Sequence, residues 1–245
     1  MMQSWIILGA TSSMARAFAR RVSERGDTVF LAGRDLDEVK RNALDCTAHG
    51  APLAETLLFD ARNSDGFEAI IERAGAQEGL INVAVFVGSM PPQDEIDANP
   101  ALIQDTVTDS FTGPAQFLQA ITPLMEERGG GTIVGVGSVA GDRGRIGNYV
   151  YGAAKSAFHT YLSGLRNRLT QSGGHVLTVK PGFVDTAMTW GIPGMFLVAS
   201  PENVAGDILR AVEKRRNVIY TPFFWRYVML IIRAIPEPIF KKMSV

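Results

Sequence analysis

The segment "WIILGATSSMARAFAR" (5–20) decides the fold, because an apolar run leads through a turn of small residues into an amphipathic stretch. Residues 5–10 are apolar at almost every position, which is typical of a parallel strand covered by helices on both faces. The helix predicted over 12–25 follows directly after the turn. A strand, a tight turn and a helix in this order open a βαβ unit, so the segment predicts a parallel α/β sheet.

The same alternation continues along the chain. Further apolar runs predict strands at 28–33, 55–60, 81–88, 131–137, 175–182 and 217–220. The stretches between the runs predict crossover helices at 35–48, 63–76, 100–128 and 149–171, and one that begins near Ser200. Parallel strands joined by right-handed helical crossovers form a doubly wound sheet. We therefore predict one α/β domain whose sheet has about seven strands and helices on both faces.

Composition and charge limit the classes of function. Of the 245 residues, 46% are hydrophobic and 20% are charged, which is the ordinary balance of a globular protein. A formal net charge of -1 gives no electrostatic basis for binding nucleic acid. The single cysteine, Cys46, cannot form an intramolecular disulfide and fits a reducing compartment. The N-terminus lacks the charged region and cleavage site of a secretory signal. We predict a cytoplasmic protein that binds neither nucleic acid nor a metal ion.

The turn after the first strand is composed mainly of residues with small side chains. In a doubly wound sheet this turn binds the pyrophosphate of a dinucleotide, because the amides and macrodipole of the following helix face the negative charge. The residues predicted to bind the cofactor here are Gly9, Thr11, Ser12, Ser13 and Met14. The alternative is a capped helix N-terminus without a ligand, since Ser and Thr are common capping residues.

The end of the second strand, "LAGRD" (31–35), bears on the choice of cofactor. A site for NAD places a carboxylate there to accept hydrogen bonds from the ribose hydroxyls. This chain has Gly33 followed by Arg34, whose guanidinium can pair with a 2′-phosphate, while Asp35 is placed to cap the next helix. We predict binding of NADP rather than NAD. The alternative is that Arg34 is an ordinary surface arginine.

Two motifs in the second half of the chain contain the candidate catalytic residues. In "YGAAK", Tyr151 and Lys155 are four residues apart and therefore face the same side of a helix. In "GVGSVAG", Ser138 follows the fifth strand and precedes Tyr151 by thirteen positions. The carboxyl end of a parallel strand is where ligands bind in such sheets, so Ser138 is predicted to lie in the site.

The chain up to about residue 220 resembles the short-chain dehydrogenase/reductase family. The resemblance rests on these two motifs together with "KPGFVDTAM" from Lys180. It implies a Rossmann-type domain over residues 1–220, followed by a C-terminal extension over 221–245. It also implies an NADP-dependent carbonyl reductase or alcohol dehydrogenase that transfers hydride between nicotinamide and a ketone or secondary alcohol. Family resemblance further implies a homodimer or homotetramer.

The resemblance implies a role for each catalytic residue. Tyr151 is the acid/base that gives the forming alkoxide its proton, and Ser138 donates a hydrogen bond to the carbonyl oxygen. A phenol with a pKa of about 10 holds its proton too tightly near neutral pH, so the ammonium of Lys155 is expected to lower the pKa of Tyr151. Tyr151 and Lys155 are also expected to contact the cofactor, and Lys155 is expected to do so at the nicotinamide ribose. Ser110 stands where relatives often carry an Asn of a proton relay, and it is expected to hold water there.

Other positions match or depart from the family. The further residues implied to contact the cofactor are Asp60, which matches an adenine-binding position, Ala61, Gly88, Pro181, Gly182, Val184 and Thr186. At the first turn, Ser13 and Ala15 replace two usual glycines. In the fourth strand, Val85 and Phe86 replace two usual asparagines. These departures keep a second hypothesis open, an NADP-binding sensor or scaffold without catalytic activity.

The last part of the chain is unusually apolar. Residues 221–243 predict a short amphipathic helix that ends before Pro236 and is too short to span a bilayer. The segment resembles the ends of reductases that act on polyprenyl-phosphate-linked keto-pentoses. With the apolar flap predicted at 190–200, it implies a bulky, hydrophobic or lipid-linked substrate. Residues 222–243 are then expected to contact the inner face of the membrane peripherally. The alternative is a subunit interface or a lid over the substrate pocket.

Overall fold

Seven strands alternate with helices along the chain in the computed structural model, which describes residues 3–186 and 198–243. The strands are β1 (Gln3–Leu8), β2 (Thr28–Gly33), β3 (Ala54–Leu58), β4 (Leu80–Val85), β5 (Thr132–Val136), β6 (His175–Pro181) and β7 (Val218–Thr221). They form a parallel sheet in the order β3-β2-β1-β4-β5-β6-β7, which confirms the seven predicted strands. The direction of winding reverses between β1 and β4. In such sheets ligands bind outside the carboxyl ends of the strands at this switch point.

Helices cover both faces of the sheet. They are α1 (Ser13–Ser23), α2 (Leu36–Ala48), α3 (Phe67–Gly75), α4 (Gln93–Ala98), α5 (Leu102–Val107), α6 (Gly113–Glu127), α7 (Tyr149–Thr170), α8 (Pro201–Glu213), α9 (Trp225–Ala234) and α10 (Glu237–Phe240). In β1, Ile7 packs in one core with residues of α1, α2 and α8, whereas Ile6 packs in a second core with residues of α3, α6 and α7. Alternate residues of a strand point to opposite faces, so these strands are apolar throughout. The doubly wound α/β fold is confirmed.

The long helix predicted before the fifth strand is interrupted by a π-helical segment, Thr108–Thr112. Pro114 has no N–H to donate to the carbonyl oxygen of Ser110, so the α-helical ladder cannot continue unbroken there. Gly113 lies against the loop after β3, where a Cβ would come within 2.1 Å of the Ala61 carbonyl oxygen. Ser110 is fully buried in this segment. The sequence patterns also do not predict the short helix α4.

The C-terminal tail packs beside β7 and the turn after β5. Helix α9 ends at Ala234, so the predicted amphipathic helix that ends before Pro236 is confirmed. Its buried residues Trp225 and Met229 form a small apolar cluster with Val139. None of the helices in the two described ranges is long and apolar enough to span a bilayer.

Candidate active site

The turn after β1 leads into the N-terminus of α1. Gly9 has a φ of +76°, and a Cβ there would lie 3.0 Å from the carbonyl carbon and oxygen of Phe86, so the position requires glycine. Ser12 occupies the capping position, but its side chain makes no capping hydrogen bond. Ser13 begins the helix, Met14 packs against the core, and the first turn contains no acidic residue. Short side chains and helix amides without a carboxylate fit the pyrophosphate of a dinucleotide.

The end of β2 lies next to this turn. A Cβ at Gly33 would lie 3.8 Å from Cγ2 of Thr11, so the end of β2 and the turn after β1 are close together. Arg34 follows Gly33 and is exposed. Asp35 caps α2 as predicted, because its Oδ1 accepts a hydrogen bond from the Glu38 N–H at 3.0 Å. Arg34 is therefore the charged residue that this strand end presents beside the turn.

The loop after β3 contains Asp60 and Ala61, together with an ion pair that the sequence analysis does not predict. Oδ1 of Asp60 accepts a hydrogen bond from the Arg62 N–H at 3.0 Å. The Arg62 guanidinium donates two hydrogen bonds to the Asp109 carboxylate, each 2.8 Å long. Burial alone would raise the pKa of Asp109, but the hydrogen bonds from Arg62 hold this pKa below its usual value. The ion pair fixes the π-helical segment to the loop after β3.

Near the carboxyl end of β4, Gly88 lies close to the side chains of Ser110 and Lys155. The Ser110 hydroxyl donates to the Ser89 carbonyl oxygen at 3.2 Å and accepts from the Ser89 N–H at 3.3 Å. A Cβ at Gly88 would lie 3.0 Å from Nζ of Lys155 and 3.3 Å from Oγ of Ser110. Gly88 therefore leaves the space in which the ammonium and the hydroxyl approach each other.

Lys155 joins two strand ends and lies beside Tyr151. Its Nζ donates to the carbonyl oxygens of Val87 and Val136, each at 3.1 Å, and lies 5.8 Å from the centre of the Tyr151 ring. Burial lowers the pKa of Lys155 to about 8. Burial also raises the pKa of Tyr151 to about 12, and a hydrogen bond from Ser138 opposes this rise in part. The lowered Tyr151 pKa that the sequence predicts is therefore wrong for this structure, because the effect of burial dominates and the net shift is upward.

Ser138 lies at the carboxyl end of β5. Its Oγ accepts a hydrogen bond from the Ala140 N–H at 3.1 Å and so caps the short 3₁₀ turn Val139–Asp142. A second tyrosine, Tyr149, has a different environment, since it is exposed and its hydroxyl donates to the Asp97 carboxylate. Tyr151, by contrast, is buried and lies close enough to Ser138 for this serine to affect its pKa.

The segment after β6 contains the remaining predicted cofactor residues. These are Pro181, Gly182, Val184 and Thr186. Val184 is buried, and Gly182 is covered by the tail, because a Cβ there would lie 1.9 Å from the indole nitrogen of Trp225. Glycine is thus required at this position for the contact with the tail. The predicted flap at 190–200 falls largely outside the described residues.

The profile of the short chain dehydrogenase family matches residues 3–194. The chain belongs to this family. An uncharacterized oxidoreductase of Mycobacterium tuberculosis is 30% identical to this short-chain dehydrogenase over 239 residues, which are 97% of this chain and 96% of the relative. Membership in the family makes the chain an oxidoreductase.

Two solved structures resemble this short-chain dehydrogenase. The short-chain dehydrogenase from Sphingobium yanoikuyae in complex with NADPH has a TM-score of 0.80 at 22% identity, with 97% of each chain covered. A 3-oxoacyl-(acyl-carrier protein) reductase from Brucella melitensis with bound NAD has a TM-score of 0.74 at 26% identity, over 84% of this chain and 82% of that one. The family fold is therefore shared over most of each chain.

The apolar replacements at the carboxyl end of β4, Val85 and Phe86, are buried in the core of this short-chain dehydrogenase. Phe86 is buried and packs on Phe18, with 5.6 Å between the ring centres. Its N–H donates to the Leu8 carbonyl oxygen at 2.9 Å, and its own carbonyl group lies against Gly9. The backbone that supports the turn is thus held without the usual asparagines.

Two side chains that the sequence analysis passes over lie directly behind Ser138. They are His159 of α7 and Asp142 of the 3₁₀ turn, and both are almost fully buried. A signal for them exists in the sequence, because glycines lie one residue before and three residues after Ser138. Glycines at both positions leave room for a side chain from another element to approach the backbone closely.

Proposed function

We propose that this short-chain dehydrogenase is a carbonyl reductase that uses NADPH. The observation that supports the proposal is the grouping of Ser138, Tyr151 and Lys155 at the carboxyl ends of β4 and β5. The grouping lies one strand away from the turn at Gly9, on the same edge of the sheet. A proton donor, a hydrogen-bond donor and a cation in one buried site are the groups that reduction of a carbonyl requires.

The turn at Gly9 and the end of β2 would bind the phosphates of the cofactor. The proposed contacts are Gly9, Thr11, Ser12, Ser13, Met14 and Arg34 at the phosphates, Asp60 and Ala61 at the adenine, and Gly88, Lys155, Pro181, Gly182, Val184 and Thr186 at the nicotinamide. Arg34 would pair with the 2′-phosphate, which favours NADP over NAD. When bound, the nicotinamide supplies the hydride that reduces the carbonyl carbon.

Tyr151 is the proton donor of the proposed reaction. Its raised pKa keeps the phenol protonated at neutral pH, and the protonated form is the one that ketone reduction needs. Ser138 donates a hydrogen bond to the carbonyl oxygen as negative charge develops there. Lys155 carries its positive charge below about pH 8 and stabilises the phenolate that remains after proton transfer. Ser110, bonded to Ser89 beside Lys155, would hold the water that returns the proton.

The decisive experiment compares Tyr151→Phe with Tyr149→Phe, which removes a hydroxyl two residues away. Binding of NADPH and NADH is followed by nicotinamide fluorescence, and turnover is measured with a panel of hydrophobic ketones. We expect Tyr151→Phe to lose about 100- to 10,000-fold in kcat with NADPH affinity unchanged. Tyr149→Phe should retain both the kcat and the NADPH affinity of the wild type. A wild type that binds NADPH and reduces no ketone supports instead the sensor or scaffold function.

We also propose that the tail docks on the membrane surface and gives the site access to bulky hydrophobic or lipid-linked ketones. Leu230 and Ile231 of α9 are 65% and 67% exposed. A groove of about 850 Å³ runs between β7 and α9, and its lining includes Arg216, Arg226 and Arg233. Exposed apolar side chains beside arginines are typical of a helix that lies in the interface of an anionic membrane.

Co-sedimentation with phosphatidylglycerol vesicles tests the docking proposal. Leu230→Glu should abolish sedimentation with the vesicles, because it places a negative charge on the proposed contact face. The matched control is Leu44→Glu in α2, since Leu44 is 66% exposed and Leu230 is 65% exposed. Vesicle binding that both variants retain contradicts docking by α9. A change of assembly state in Leu230→Glu without vesicle binding by the wild type identifies a subunit interface instead.

A further inference from the structure

The imidazole of His159 occupies a slot formed by the two glycines that flank Ser138. A Cβ at Gly137 would lie 2.0 Å from Nε2 of His159, and a Cβ at Gly141 would lie 2.7 Å from its Cε1. Any side chain at either position would displace the ring. The segment that contains Ser138 and the helix that contains His159 are therefore fitted to each other.

The ring contacts the backbone of Ser138 itself. The Ser138 N–H donates to Nε2 of His159 at 3.3 Å, so this nitrogen acts as the acceptor. Burial lowers the pKa of His159 to about 3, which keeps the imidazole neutral at physiological pH. In a neutral imidazole only one nitrogen carries a proton, and the acceptor role of Nε2 places that proton on Nδ1. Nδ1 faces the Asp142 carboxylate, with 3.8 Å to Oδ1.

Asp142 fixes the other end of the same turn. Its side chain is 2% exposed, and it accepts hydrogen bonds from Nζ of Lys180 and the hydroxyl of Tyr220, each at 2.6 Å. Lys180 belongs to β6 and Tyr220 to β7, so the turn after β5 is bonded to the next two strands of the sheet. Both carboxylate oxygens of Asp142 are thus bonded, and a displacement of the turn would leave a buried charge without its partner.

We propose that His159 is a positioning residue for Ser138, which it holds through the Ser138 backbone N–H while Asp142 holds the far end of the turn. The proposal rests on the proposed reductase function, because it explains how the hydroxyl that faces the carbonyl is kept in place. Small displacements of a catalytic group reduce rates strongly, so loss of this contact acts on kcat rather than on cofactor binding.

The activity test is a double-mutant cycle between His159 and Ser138, with phenanthrenequinone as substrate and NADPH as reductant. His159→Leu removes the acceptor and should lower kcat by about 10- to 100-fold with the Kd for NADPH unchanged. His159→Gln supplies an amide oxygen as acceptor and should restore most of the rate. In the Ser138→Ala background, His159→Leu should have no further effect. An equal loss in both backgrounds, or no loss in either, overturns the proposal.

A spectroscopic test keeps the inference separate from the proposed function. Nitrogen NMR of protein labelled at histidine, assigned against His159→Gln, reports the protonation of both ring nitrogens. We expect Nε2 of His159 to be unprotonated and Nδ1 to be protonated at neutral pH. A protonated Nε2 overturns the inference whatever the activity. Correct nitrogen signals in an enzyme that reduces no ketone count against the reductase function and leave the contact established.

Discussion

Trp225 lies directly against Gly182, so that a Cβ at Gly182 would come within 1.9 Å of the indole nitrogen. This contact joins the C-terminal tail to the segment after β6 that is proposed to hold the nicotinamide. Trp225 is 2% exposed and also packs at 5.4 Å from the ring of Phe183, measured between ring centres. The tail is therefore part of the structure that supports the site.

Replacement of Gly182 by alanine should detach the tail from this segment. The methyl group overlaps the indole of Trp225, and overpacking of this kind costs about 1–3 kcal/mol in the free energy of unfolding. The control is Gly164→Ala in α7, where a Cβ meets nothing within 4 Å and a helical alanine should stabilise by about 0.5–1 kcal/mol. Urea unfolding of the two variants measures both effects. Equal stability of the two variants contradicts the contact.

The rates of reduction and oxidation should depend on pH in opposite ways. The Tyr151 phenol, with its pKa near 12, stays protonated, so ketone reduction should be constant near neutral pH. Reduction should decline above about pH 8, where Lys155 loses its charge. Alcohol oxidation needs the phenolate and should rise about tenfold per pH unit well below the Tyr151 pKa. Initial rates in both directions test this, and an oxidation rate that reaches its maximum below pH 8 contradicts the raised pKa.

The fold could be predicted from the sequence because each buried strand leaves an apolar run. Pro114 marks a break in the long helix, but the close approach of Gly113 to the Ala61 carbonyl group beside the π-helical segment Thr108–Thr112 could not be predicted. That contact joins residues far apart in the chain, and no local periodicity records it. The tail helix was predictable from its amphipathic pattern, but its contact with Gly182 was not.

The candidate site was also predictable from the sequence only in part. The spacing of Tyr151 and Lys155 follows from helix geometry and was predictable. The direction of the Tyr151 pKa shift was not, because it depends on burial. His159 was missed because a lone histidine in a helix gives no pattern. Only the glycines around Ser138 indicate the space that it fills.

Stability should fall as the pH is lowered from 6.5 towards 3, in part because of His159. Its folded pKa of about 3 lies below its usual value of 6.5, so within this window the unfolded chain binds a proton that the folded chain does not. Burial is the main cause, Lys180 and Lys155 add to it, and Asp142 opposes it. Urea unfolding at several pH values should show a smaller loss in His159→Gln, by a few kcal/mol at most near pH 3. If the free energy of unfolding depends on pH in the same way in the wild type and in His159→Gln, this prediction is wrong.

Arg34 should determine the preference for NADPH over NADH. A guanidinium paired with the 2′-phosphate forms charge-assisted hydrogen bonds, so Arg34→Ala should weaken NADPH binding by about tenfold or more and leave NADH binding unchanged. The control is Arg41→Ala, since Arg41 is also exposed but lies within α2. Nicotinamide fluorescence titrations at two salt concentrations give the affinities of the wild type and of both variants for NADPH and NADH. The Arg34 effect should shrink at high salt, because screening weakens an exposed ion pair. Equal losses of affinity for NADPH and NADH would show that Arg34 supports the turn and does not bind the 2′-phosphate.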